Sequence, residues 1–114
     1  MDETKKRLRS IYIAGPMKGL PKHNTDAFFN AEEKLRLEGW VVVNPVKFEH
    51  IFGTAVLQED DRLLRAMMDA ELAVIPRLDA IYLLRGWEHS EGAKRELQVA
   101  LEYGLIVMVE GAGE

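Results

Sequence analysis

The stretch "GWEHSEGAKRE" at residues 86–96 places Ser90 at the start of a predicted helix and Glu96 on that helix's inward edge. At about 100° per residue, Ala93, Leu97, Ala100, Leu101 and Gly104 form the expected buried stripe, and Lys94, Arg95, Gln98 and Glu102 the solvated side. The i+3 and i+4 relations set Glu96 beside Ala93 and Ala100, with Gly92 and Tyr103 on its outer flank. A carboxylate among small neighbours can project into a cleft and act on a substrate. The alternative is a flanking glutamate that pairs with a nearby Lys or Arg.

Three further positions could join it. Ser90 is suited to cap the helix by accepting a backbone N–H of the first turn. The free N–H groups there also suit a phosphate or carboxylate, and the two roles are compatible. Tyr12 lies two residues before the end of an apolar run, where a buried phenol needs a hydrogen-bond partner and a carboxylate would serve. Packing is the other reading of an aromatic residue in a strand. In a long helix ending near Ile75, Glu71 shares the face of Leu64, Met68 and Ile75, whereas Asp69 lies with Gln58, Arg62 and Arg65. Glu71 is either a functional carboxylate or one half of a salt bridge at the helix end. Trp87 reads as a packing residue or as a ring on which a base stacks. The loop "GPMKG" offers Gly15, Met17, Lys18 and Gly19 as flexible backbone plus one cation, without the spacing of a P-loop, and no G-x-G-x-x-G fingerprint occurs in the chain.

These residues need elements to hold them. "IYIA" at 11–14 is an apolar run closed by Gly15-Pro16, as expected of a strand buried on both faces. Phe28, Ala31 and Leu35 recur at helical spacing between Thr25 and Glu38, and Gly39 closes that helix so that Trp40 can fold back on Leu35. "WVVV" at 40–43 is a second strand, ended by Asn44-Pro45. An irregular segment around Gly53 leads to a helix over 57–75, through Leu57, Leu64, Met68, Leu72 and Ile75, stopped by Pro76. A strand at 80–84, a helix over 90–103 and a strand at 105–109 complete the chain. Strands alternating with helices predict an α/β three-layer sandwich, flavodoxin-like or Rossmann-like, with a four-stranded parallel sheet in the order 2-1-3-4. The ligand crevice of such a sheet opens past the carboxyl ends of its first and third strands, between "GPMKGL" and "RGWEHSEG".

Composition narrows the function classes. A chain of 114 residues, 47% apolar, fits a single domain spanning 1–114. A formal charge of −4 argues against duplex nucleic acid as a partner, so any bound phosphate must be held locally. With no cysteine and with His23, His50 and His89 scattered, neither disulfides nor a structural metal is implied, and no cofactor is expected. The "KKR" at 5–7 precedes an apolar run too short for a signal peptide or membrane span, which predicts a cytoplasmic protein with no membrane partner.

"IYIAGPMKG", the acidic helix ending at "LDAIYLL", and "GWEHSEGAKRE" together resemble the nucleoside 2-deoxyribosyltransferase-like superfamily. More closely, they are similar to its small branch of domains of unknown function marked by Y-I-A-G-P-M and G-W-E-x-S-x-G-A-x-x-E. The resemblance spans roughly residues 11–109. It implies cleavage of the N-glycosidic bond of a nucleoside or nucleoside 5′-monophosphate, by hydrolysis or by deoxyribosyl transfer. It assigns Glu96 as nucleophile and Tyr12 as the phenol that orients it. It gives contact with the leaving base to Glu71, where the family more often has aspartate. Lys18 and Ser90 would grip a phosphate, with lysine standing where arginine is usual, and they favour a phosphorylated substrate and hydrolysis. Gly15, Met17, Gly19, Trp87 and Gly92 would complete the binding surface, and a homodimer or larger homo-oligomer is implied.

Two other readings compete. A non-catalytic nucleotide-binding domain would keep the crevice without turnover. A receiver-like signalling domain shares the topology, but it needs clustered aspartates after the first strand and a phosphoacceptor closing the third, and "IYIAGP" and "YLLRG" supply neither.

Overall fold

Successive side chains of a strand point to opposite faces, and both faces of β1 (Ser10–Ala14) are buried in the computed structural model, which describes residues 9–47 and 61–112. Ile11 and Ile13 enter one core with Phe28, Ala31 and Leu35 of α1 (Thr25–Leu37). Tyr12 and Ala14 enter another, with Leu72 of α2 (Asp61–Val74) and with Ala93 and Ala100 of α3 (Glu91–Glu102). The central strand therefore separates two helical layers, α1 on one side and α2 with α3 on the other.

Around β1 the sheet is parallel, in the order β2-β1-β3-β4, with β2 at Val41–Val43, β3 at Ala80–Leu83 and β4 at Ile106–Val109. Tyr12 is paired with Val43 on one side and Ile81 on the other. The ladder continues one step past β3, where Leu84 N–H donates to the Ala14 carbonyl at 2.8 Å. The expected architecture and strand order are those observed.

Both helix–glycine–strand junctions close in the same way. Trp40 N–H donates to the Leu35 carbonyl at 3.0 Å, and Leu105 N–H to the Ala100 carbonyl at 2.9 Å. In each, the intervening glycine takes the left-handed backbone that this closure requires: φ is 96° at Gly39 and 73° at Gly104. Pro76 does stop α2, although the chain goes on through a 3-10 turn at Ile75–Arg77. The expected start of that helix at Leu57 and the segment around Gly53 lie outside the described residues.

One expectation for α3 needs correcting. Leu101 is 60% exposed and Gly104 is exposed, so neither belongs to the buried stripe. The buried residues are Ala93, Glu96 and Ala100, with Leu97 and Val99 packed at their flanks. The helix is rolled so that the Glu96 side faces the sheet, because Ala93 and Ala100 allow close approach there and Glu96 finds a polar partner inside.

Candidate active site

Three side chains from three elements converge beneath the carboxyl end of β1. Tyr12 is fully buried at the centre of the sheet, Glu71 comes from α2 and Glu96 from α3, and the two acids are only 8% and 9% exposed. Tyr12 Oη lies 2.6 Å from Glu96 Oε2 and 3.1 Å from Glu71 Oε2. A phenol has one hydrogen, so it cannot be donated to both acids. The shorter contact takes it, as a charge-assisted bond should, and the longer one is completed when a carboxyl proton is donated to the phenol oxygen. A proton held by one of the two acids would complete both contacts.

The electrostatics favour a proton within the acid pair. Burial, and then repulsion from the adjacent Glu71 carboxylate, hold Glu96 well above the ordinary carboxylate range, against the pull of the Tyr12 hydrogen bond, which lowers it. Burial and the two neighbouring acids likewise raise the Tyr12 phenol well above its ordinary value, so it stays a donor at neutral pH. Two acids sharing one site could divide the roles of nucleophile and proton donor if one proton is held between them.

The loops that follow β1 and β3 are in contact. A β-carbon on Gly15 would stand 2.7 Å from the Leu84 Cβ, and one on Gly86 would stand 3.2 Å from Pro16 Cγ. Only glycine lets the turn after β1 and the turn after β3 meet this closely. Beyond them, a 3-10 turn at Trp87–His89 delivers Ser90, whose Oγ accepts from Ala93 N–H at 3.1 Å and caps α3.

The other expected contact residues are distributed as follows. Lys18 and Gly19 are exposed on the loop after β1, and Met17 is half-buried against the core on the α1 side of the sheet. Trp87 is half-buried and packs on the core that contains Tyr12 and Ala93. Gly92 is exposed in the first turn of α3. Of the residues expected from sequence, the structure brings Tyr12, Glu71 and Glu96 into contact, with Ser90 at the head of the helix that carries Glu96.

A family model described as Domain of unknown function (DUF4406) matches residues 9–109, a span that takes in the whole cluster and both loops. The chain belongs to the DUF4406 family. Comparison with curated proteins finds no match. In this DUF4406 domain no group of three His, Cys, Asp or Glu among the described residues is arranged to hold a metal ion. Nor is any helix among them long and apolar enough to cross a membrane.

A second buried polar cluster of the domain was not anticipated from sequence. Glu32 of α1 accepts from Asn44 Nδ2 and Lys47 Nζ, both at 3.0 Å, and pairs with Arg36 at 2.7 Å. Burial alone would raise its pKa, but the hydrogen bonds from Asn44 and Lys47 and their positive surroundings bring it below the ordinary value. Its signal was available: Phe28, Ala31, Glu32 and Leu35 fall at i, i+3, i+4 and i+7, the same pattern that marks Glu96. With its oxygens already satisfied, Glu32 ties α1 to the end of β2. A cavity of about 520 Å³ beside it, lined by Phe29, Glu32, Glu33, Arg36 and Leu37, shares no residue with the Tyr12 cluster.

Proposed function

We propose that this DUF4406 domain cleaves the N-glycosidic bond of a nucleoside or nucleoside 5′-monophosphate, with Glu96 as nucleophile. The observation that carries the reading is the buried contact of one phenol with two carboxyls, 2.6 Å to Glu96 and 3.1 Å to Glu71. The similarity of "IYIAGPMKG" and "GWEHSEGAKRE" to the deoxyribosyltransferase-like superfamily supports the choice of bond.

In this reading a Glu96 carboxylate oxygen attacks C1′ as the bond to the base nitrogen breaks, the electron pair leaving with the base. Tyr12 holds the nucleophile's rotamer through its hydrogen bond. The proton that the acid pair retains passes from Glu71 to the departing base. Water then opens the glycosyl ester, giving hydrolysis, or a second base takes the sugar, giving transfer. Lys18 and Ser90 favour a 5′-phosphate and therefore hydrolysis. The resemblance also implies a homodimer or larger as the working unit.

The test is incubation with a panel of nucleosides and 5′-monophosphates, with and without free acceptor base, following released base by chromatography. Release that disappears in Glu96→Gln supports the proposal, and equal release by the variant refutes it. A non-catalytic nucleotide-binding domain is the second reading, favoured by the way the three groups satisfy one another's hydrogen bonds in a buried cluster. It requires ligand uptake with no base released from any substrate and full affinity in Glu96→Gln.

A further inference from the structure

The loop that leaves β1 holds three consecutive non-glycine residues in left-handed backbone: Lys22, His23 and Asn24, with φ of 51°, 52° and 62°. Side chains are disfavoured there, and a run of such residues persists only where its surroundings impose it. The surroundings here are specific. Asn24 Nδ2 donates to the Pro16 carbonyl at 2.9 Å, tying the end of the loop to its beginning. Inside that closure Leu20 N–H donates to the Met17 carbonyl and His23 N–H to the Leu20 carbonyl, so the segment is a series of linked turns. Pro16 in turn abuts Gly86, the first residue of the path that leads through Ser90 to Glu96.

We infer that Asn24 is a positioning residue for ligand binding: its amide holds Pro16, and through it Met17–Gly19, in register with the Gly86–Ser90 turn across the crevice mouth. This rests on the nucleotide reading above. Asparagine suits the position twice over, since it tolerates left-handed backbone better than most side chains and brings a donor to the Pro16 carbonyl. A loop fixed in this way before binding spares the ligand the entropy of ordering it. Nothing in the inference places Asn24 on the reacting atoms, so it should act on affinity and leave the bond-breaking step alone.

Asn24→Gly isolates the staple, because glycine accepts the positive φ without strain and removes only the amide. The readouts are calorimetric titration of native and variant protein with each of the four 2′-deoxynucleoside 5′-monophosphates, kcat and KM on any that is cleaved, and amide hydrogen exchange at Leu20 and His23. The expected result is a Kd and KM raised about tenfold with kcat unchanged, together with faster exchange at both amides. Lys22→Gly is the control: it relieves backbone strain without touching the staple, and should raise the melting temperature and leave Kd unaltered. A native domain that binds one of the four nucleotides while Asn24→Gly binds it equally well overturns the positioning role alone. A native domain that takes up none of them overturns a deoxynucleotide as the ligand of this loop, and the positioning role with it, while base release from the full panel decides the nucleotide reading itself.

Discussion

Tyr12→Phe removes one oxygen from the centre of the sheet and keeps the ring, so what it changes is confined to the acid pair. The lost bond is 2.6 Å long, buried, and made to the carboxyl proposed as nucleophile, a role that needs its charged form. Hydrogen bonds to charged groups are worth about 1.5–3 kcal/mol, and the carboxylate left behind cannot recover the bond from water at 9% exposure. In a domain of this size such a loss lowers Tm by roughly 5–15 °C. The cost should depend on pH in a defined direction. Acidification favours the protonated form of Glu96, whose pKa is raised, and the remaining neutral hydrogen bond is worth only about 0.5–1.5 kcal/mol, so the defect shrinks. Urea unfolding followed by Trp40 and Trp87 fluorescence at pH 7 and pH ~4.5 measures both values. Combined with Glu96→Gln in a double-mutant cycle, it isolates the pair's coupling. Turnover should fall about 10²-fold through loss of the nucleophile's orientation. A defect at pH 7 smaller than about 0.5 kcal/mol, or one that does not diminish on acidification, refutes the assignment of a charge-assisted bond between these groups.

Three other outcomes are expected. Glu96→Gln should abolish base release, by about 10⁴-fold or more, while raising Tm at neutral pH. Because the folded-state pKa of Glu96 lies above its ordinary 4.5, its contribution to stability is full below that value and is lost as pH rises through the folded one. Thermal scans from acid to neutral pH should therefore show the native and Gln variant converging at the acid end. Glu32 has the opposite sign: its lowered pKa gives stability above the ordinary value that is lost as pH falls through the folded one, and Glu32→Ala, which strips Asn44 of its acceptor, should cost about 1–3 kcal/mol in urea unfolding at pH 7. Gly15→Ala should destabilise by about 1–3 kcal/mol and slow any base release, since its methyl group would stand 2.7 Å from Leu84 Cβ where the two loops meet; a variant of native stability would mean the two loops part easily.

The alternation of Ile11 and Ile13 with Tyr12 and Ala14, the glycines that end α1 and α3, and the recurrence of strand after helix are local patterns, so the sheet order could be read before any coordinates. Glu96 stood out for the same kind of reason, being charged on a helix edge whose neighbours are small. The roll of α3 was not legible, because periodicity gives relative angles and not the absolute direction of the core. Leu101 and Glu96 competed for the inward side, and contact with Tyr12 settled it in favour of the acid. Asn24 and Asn44 read as ordinary turn residues, since the partners that give them meaning, Pro16 and Glu32, are fixed by how the chain returns on itself.

Sequence by itself determined the parallel α/β layout, because that follows from short-range spacing, and it offered Tyr12, Glu71 and Glu96 as candidates for which packing or a salt bridge stayed an equal reading. Only the tertiary structure decided that Tyr12, Glu71 and Glu96 share one buried site with one phenolic hydrogen among them. That juxtaposition spans sequence separations of 59 and 84 residues, and it is the packing of α2 and α3 onto one face of the sheet that closes the distance.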